Sequence, residues 1–165
     1  SPSISIPTWR YHQIDARKLP FEDEAFDLAI AIEAFEHIEE NEKAMNEVSR
    51  VLRKGAPFIL TTPSHWTWIF EFGRHGPHYY TQRQLVVLVQ ESGLVVNDII
   101  PCGGLLYFLI SLIKSWLSPF GLRAMGPSWW KVIDGLFVPV YYLAGKVDWL
   151  MPLFPTNWVI LAYKK

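Results

Sequence analysis

The 165 residues contain a single cysteine, no excess of charge of either sign, and no apolar core near the start. Cys102 alone cannot close an internal disulfide or build a thiolate metal cluster, so a reducing compartment is expected. Fifteen Lys and Arg against sixteen Asp and Glu leave a net charge of -1, which excludes the basic footprint of a nucleic-acid binder and an acidic tail. The first fifteen residues lack the apolar run of a signal peptide, so the expected location is cytoplasmic with nothing to be removed. Internal repeats and low-complexity segments are also missing. The chain opens on Ser1 rather than methionine, and the expectation is a truncated form.

Half of the residues are hydrophobic and eight are Trp, enough to build the core of one domain. From about Trp9 to Pro101 short apolar runs alternate with helical periodicity, the pattern of an α/β sheet with crossover helices. Strands are predicted over 11–14, 26–32, 57–62, 94–100 and 157–163. The run over 26–32 (FDLAIAI) is nearly all apolar, as in a parallel strand covered on both faces. A helix over 41–53 carries Ala44, Met45, Val48, Val51 and Leu52 on one stripe, with Gly55 where a C-cap is wanted. A second helix opens at Thr81, spaced from Gln84 as a capping box, and Gly93 closes it.

The stretch Asp15–His37 (DARKLPFEDEAFDLAIAIEAFEH) resembles the central signature of small-molecule class I S-adenosylmethionine-dependent methyltransferases, type 11-like. There a D-A-x-x-L-P-F segment leads to F-D and then to an L-E-H-like turn, in which this chain has Phe35 for Leu. The run Val51-Leu52-Arg53-Lys54-Gly55, and HYYT at 78–81 followed by Leu85 and Gly93, resemble later elements of the same family. The resemblance covers roughly 9–101 plus the final strand. It implies the C-terminal portion of a Rossmann-like doubly wound sheet, over 1–101 and 156–165, with a hydrophobic helical insertion or lid over 102–155 before the last strand.

It also implies S-adenosylmethionine as cofactor. Ligands of open α/β sheets bind outside the carboxyl ends of the strands. Asp15 is placed there to accept from the adenine amino group, with the Ala16 N–H beside it. The competing assignment is that Asp15 only caps the next turn. Glu33 and Ala34, after the second strand, fall on the methionine side of the cofactor. His37 is expected to line the acceptor pocket, with a first-turn helical position as its alternative, and more weakly so for Glu36. Leu19, Pro20 and Phe21 are expected to be structural. The glycine-rich loop after a first strand and the ribose-binding carboxylate after a second are not found in these residues, so the chain alone is expected to bind cofactor poorly and to be inactive.

Methyl transfer is an in-line displacement that needs alignment and a water-poor site, with a base only when the acceptor loses a proton. His37 and His78 are the candidate catalytic residues. His65 and His75 have only their place in a histidine- and aromatic-rich loop in their favour. A His75/His78 metal pair lacks a third ligand, and no metal is expected.

Within 102–155, Leu105, Phe108, Leu109, Leu112, Ile113, Trp116 and Leu117 follow helical spacing, and Leu106, Tyr107 and Ile110 make the opposite face apolar too. The uncharged run over 102–113 gives about 18 Å of helix, short of a membrane span of about 30 Å. The segment is a lid over the acceptor, a peripheral membrane contact, or the surface that meets the missing half. The expected acceptor is a small or lipid-like molecule. The alternative function is a non-catalytic half-domain remnant that docks on a membrane or a protein through 102–155.

Overall fold

The computed structural model describes residues 10–71, 77–117, 127–148 and 153–165. Four strands form one sheet in the order β1-β2-β4-β3: β1 Ala29–Ile32, β2 Pro57–Pro63, β3 Leu94–Cys102 and β4 Asn157–Lys164. β1 and β2 run parallel, while β4 lies antiparallel between β2 and β3. The helices are α1 Asn41–Val51, α2 Trp68–Glu71, α3 Gln82–Glu91, α4 Leu105–Leu117 and α5 Pro127–Asp148.

Local chemistry explains most of these elements. The apolar stripe of α1 buries Ala44, Met45 and Val51, and Gly55 and Gly93 stand at φ 77° and 86°, where a side chain is disfavoured. At the start of α3 the Gln84 N–H donates to Thr81 Oγ1 (3.3 Å) and the Thr81 N–H to Gln84 Oε1 (2.9 Å), the reciprocal box expected there. The core lies on one face of the sheet. Phe58, Leu60, Ile160 and Ala162 point into it and meet Met45, Leu52, Leu85 and Val89, all fully buried.

Two expectations are corrected. Residues 11–14 form no strand: Tyr11 is 93% exposed and Ile14 is exposed as well, with no neighbouring strand among the described residues to pair with. The run over 26–32 is also shorter than expected and not covered on both faces. Phe26 makes only an isolated bridge to Leu52, and Ile30 and Ile32 are 55% and 68% exposed. Strand register places Ile30 beside Ile59 and Leu161, and Ile32 beside Thr61, Val159 and Ile100. No described helix covers these two apolar rows.

The insertion between β3 and β4 is a helical hairpin, α4 against α5. Its two ends are tied together where it leaves the sheet. The Asp148 carboxylate, buried at the end of α5, accepts from the Leu106 and Tyr107 N–H groups at 2.9 and 2.7 Å and so caps the start of α4. At the base, Thr156 N–H donates to the Cys102 carbonyl (3.0 Å) and Ser64 N–H to the Thr156 carbonyl (2.8 Å). Among the described residues no helix is long and apolar enough to cross a membrane.

Two glycines in this region predict opposite outcomes. Gly103 has φ 68°, and a Cβ there would sit 2.3 Å from Thr156 Oγ1. Gly103→Ala is therefore expected to cost about 1–3 kcal/mol in urea denaturation. Gly135 lies inside α5 with nothing within 4 Å of a new Cβ, so Gly135→Ala is expected to stabilise by about 0.5–1 kcal/mol.

Candidate functional site

The carboxyl ends of β1 and β2 share one edge, and the residues singled out in the sequence gather near it. Asp15, Ala16 and His37 line one open cleft of about 460 Å³, together with Ile14, Arg17, Ile38 and Glu39. The loop that carries Asp15 is held from below by α1. The Arg50 guanidinium donates to the carbonyls of Phe21 (2.8 Å) and Leu19 (3.0 Å), and the Leu19 N–H donates to Glu47 Oε2 (2.7 Å). Arg50 also pairs with Glu47 and Asp23, which raises its pKa further.

Asp15 does cap a turn while it faces the cleft. Its carboxylate accepts from the Arg17 backbone N–H (2.9 Å) and from the Arg17 guanidinium (2.8 Å), and its carbonyl accepts from the Lys18 N–H (3.0 Å). These hydrogen bonds from Arg17 hold the Asp15 carboxyl down at about 2, so it is ionised throughout the neutral range. Arg17 is in turn bonded to Glu40 at 3.3 Å, which links the Asp15 loop to the start of α1.

Glu33 sits just beyond β1 at φ 47°, the left-handed region that a non-glycine residue enters at a cost. Its N–H donates to the Thr61 carbonyl (3.0 Å), and its carboxylate accepts from Thr61 Oγ1 (3.0 Å) and Asn157 Nδ2 (3.1 Å). Glu33 therefore ties the ends of β1, β2 and β4 together. Ala34 follows as the entry to a single 3₁₀ turn, Phe35–His37. Neither Glu33 nor Ala34 lines the cleft of Asp15 and His37.

Glu36 is an acidic residue whose burial the sequence alone does not show. It is fully buried, accepts from Thr62 Oγ1 at 3.3 Å, and leaves Oε1 without a hydrogen bond. That oxygen lies 3.8 Å from Nε2 of the half-exposed His37. Burial pushes the Glu36 carboxyl above its ordinary value, and the nearby Glu33 adds to the rise. The available signal was a charge set between Phe35 and Ile38 directly after an apolar strand.

His78 stands on the other side of the same turn. Its N–H donates to the Glu36 carbonyl (3.4 Å), its ring Nε2 is 3.3 Å from the Glu39 carbonyl, and the ring stacks on Tyr80. It lines a different cleft, also of about 460 Å³, with Asn41, Tyr79, Tyr80 and Gln84. The two candidate histidines thus flank one turn without sharing a cavity. Tyr80, whose role the sequence did not reveal, is buried and anchors the turn. Its hydroxyl donates to the Phe35 carbonyl (3.3 Å) and accepts from Asn41 Nδ2 (2.6 Å), and burial raises its pKa. His65 lies in the loop after β2, and His75 falls outside the described residues. Among the described residues no group of three or more His, Cys, Asp or Glu is arranged to hold a metal ion.

Residues 3–60 match the family described as methyltransferase domain. The chain is 41% identical over 51 residues to norajmaline N-methyltransferase of Rauvolfia serpentina, covering 31% of this chain and 18% of that one. It is 46% identical over 46 residues to sterol 4-C-methyltransferase strm-1 of Caenorhabditis elegans, covering 28% and 14%. The fold matches geranyl diphosphate C-methyltransferase of Streptomyces coelicolor A3(2), solved with Mg2+, geranyl diphosphate and S-adenosyl-L-homocysteine. The TM-score is 0.55 at 16% identity, over 93% of this chain and 52% of that one. The architecture is thus a Rossmann-like α/β fold shared with that solved methyltransferase, and the family match is confined to residues 3–60. The chain spans less than a fifth of the length of the two curated relatives.

Two outcomes follow from the charges around the turn. A raised carboxyl means that the folded chain holds the Glu36 proton more tightly than the unfolded chain does. The stability from this group is fully present below the ordinary glutamate range and is lost as pH rises through the raised value. Glu36→Gln is expected to flatten that loss and to be more stable than the parent near neutrality, read by urea denaturation between about pH 4 and 8. A steeper decline in the variant would contradict the burial argument. Arg17→Gln is expected to return the Asp15 carboxyl from about 2 toward its ordinary 3.8, read by NMR titration of the carboxyl carbon.

Proposed function

We propose that this chain carries the adenine-side and acceptor-side portion of an S-adenosylmethionine-dependent methyltransferase that acts on a small, apolar or lipid-like acceptor. The observation that carries it is the convergence of the adjacent Asp15 and Ala16 with His37, from the other side of β1, on one cleft beside the strand-end turn. Its volume is in the range of small-molecule sites.

The residues fit the donor on the adenine side. Asp15 is ionised at neutral pH and exposed, and the Arg17 guanidinium, which contacts both of its oxygens, swings aside to let it accept from an exocyclic amino group. Ala16 offers its backbone N–H next to it. Glu33 and Ala34 lie on the methionine side, where the Glu33 carboxylate puts negative charge near a sulfonium. The donor supplies an electrophilic methyl group when bound. His37, half-exposed in the cleft, is the base where the acceptor must lose a proton. His78 contributes by holding the 35–37 turn from the opposite side. The 165 residues contain no glycine-rich loop for the methionine end, so the chain alone is expected to bind the donor weakly and to turn over little.

The lipid-like acceptor is supported by the names of two similar proteins, which act on a sterol and on geranyl diphosphate. It is also supported by the α4–α5 hairpin, where Leu106, Leu109, Ile113, Val138, Tyr142 and Leu143 are all exposed. An apolar surface of this extent suits a lid for an apolar acceptor or a peripheral membrane contact. The same surface favours a second reading, a non-catalytic module that docks through 102–155.

Both are tested on a polypeptide that carries residues 1–165, using S-adenosylmethionine labelled in the methyl group. Transfer into sterol or prenyl acceptors, well above transfer to sarcosine or ethanolamine, is the expected result. Asp15→Asn should weaken S-adenosylhomocysteine binding by about tenfold in calorimetry. Flotation with phospholipid vesicles in the absence of any methyl transfer would favour the docking module. Preference for the polar acceptors, without vesicle binding, would overturn the lipid-like assignment.

A further inference from the structure

Four aromatic rings gather where β2 ends and the hairpin returns to β4. Trp66 packs edge-on against Phe154 (ring centroids 4.7 Å apart) and Phe108 (6.5 Å), Phe108 stacks on Phe154 (5.6 Å), and His65 tilts against Trp66 (4.6 Å). Phe108 is buried, whereas Phe154 is 36% exposed and Leu153 beside it 52%. The cluster is thus open on its outer side. It lies at the same strand-end edge as the Glu33–Asn157 bond, since Phe154 stands three residues before Asn157.

Two features set this cluster apart from ordinary core. Phe154 has φ 57°, left-handed backbone that a bulky side chain rarely adopts and that structures retain mainly at ligand sites and tight connections. His65 Nδ1 is buried without any hydrogen-bond partner. A buried polar atom left unpaired is costly, and an apolar wall beside one unsatisfied polar atom is the make-up of a site for an apolar molecule with one polar group.

Resting on the lipid-like acceptor proposed above, we propose that Trp66 and Phe154 form the wall of an acceptor subsite for an isoprenoid-type molecule bearing one hydroxyl, with His65 Nδ1 as the hydrogen-bond partner of that hydroxyl. A hydroxyl both donates and accepts, so it satisfies either tautomer of the imidazole. The flat faces of Trp66 and Phe154 take up unsaturated or ring carbons. Phe154, the more exposed of the two, is the side chain that swings outward to admit the ligand against Trp66, the ring that packs on His65. The site determines specificity. Proton transfer stays with the cleft of His37.

The test is equilibrium binding of radiolabelled farnesol, and of the matching hydrocarbon farnesene, to the 165-residue chain without methyl donor. The parent is expected to bind both saturably. Trp66→Ala and Phe154→Ala should weaken both by about tenfold or more. His65→Phe should weaken farnesol by about tenfold and leave farnesene unchanged, while His65→Asn, which returns a polar atom near Nδ1, should restore farnesol. Urea midpoints identify any variant that has lost its fold, and Phe154→Leu then stands in for the alanine change at the exposed wall. Absence of saturable binding, equal losses for alcohol and hydrocarbon in His65→Phe, no rescue by His65→Asn, or unaltered binding in folded wall variants would each overturn the subsite. Methyl transfer to a lipid acceptor with no effect of these changes overturns the subsite alone. Farnesol binding as described, with no methyl transfer in the polypeptide carrying the chain, leaves the subsite standing and overturns the methyltransferase reading.

Discussion

The insertion of β4 between β2 and β3 is the constraint on which the rest of the molecule depends. This last strand pairs along seven positions of β2 and eight of β3, joining parts of the chain otherwise connected only through helices. Its alternate residues Trp158, Ile160 and Ala162 enter the core, so one element supplies both the ladder and the central apolar layer. At its far end Lys164 and the Arg53–Ala56 turn exchange backbone hydrogen bonds, from Gly55 N–H to the Lys164 carbonyl and from Lys164 N–H to the Ala56 carbonyl. In the sheet, β3 is joined to the β1–β2 pair through β4.

The candidate site inherits its order from that strand. Asn157 holds the Glu33 carboxylate, the Thr156 carbonyl receives the Ser64 N–H, and the Trp158 indole donates to the Tyr80 carbonyl at 3.0 Å. Tyr80 then fixes the Phe35 carbonyl, and with it the turn that carries Glu36 and His37. A second system fixes the other wall of the cleft. Arg50 grips the Leu19–Phe21 loop through two carbonyls, and Arg17 clamps Asp15. The cleft lies where these two systems meet. One is hydrogen-bonded and largely buried; the other is ionic and exposed, and is the more sensitive to salt.

Elements whose cause is local were legible in the sequence. The stripe of α1, the Thr81–Gln84 box and the two left-handed glycines follow from periodicity and capping among neighbouring residues. The apolar runs of β2, β3 and β4 are visible in the same way, although each of these strands also has a partner to pair with. The strand expected over 11–14 failed because a strand needs a partner, and no described strand lies beyond β1. The same physics leaves Ile30 and Ile32 exposed, where an apolar run suggested cover on both sides. At the site, a resemblance in sequence points to Asp15, Ala16 and His37, which line one cleft, and equally to Glu33, Ala34 and His78, which do not line it. The burial of Glu36 was not legible, because the turn that holds it is fixed by Thr62 and Tyr80, both remote along the chain. The clamp of Arg17 on Asp15 needed no long-range information, yet it became visible only with the geometry of the turn.

The central claim is that the cleft of Asp15, Ala16 and His37 receives the adenine end of the methyl donor. The most direct test is residue-resolved NMR of the 165-residue chain titrated with S-adenosylhomocysteine up to millimolar concentration. Saturable shifts should concentrate on the amides of Asp15, Ala16, Arg17, His37 and Ile38, and should vanish in Asp15→Asn. Shifts centred instead on the cleft of His78 and Gln84, or shifts that persist unchanged in Asp15→Asn, would contradict it.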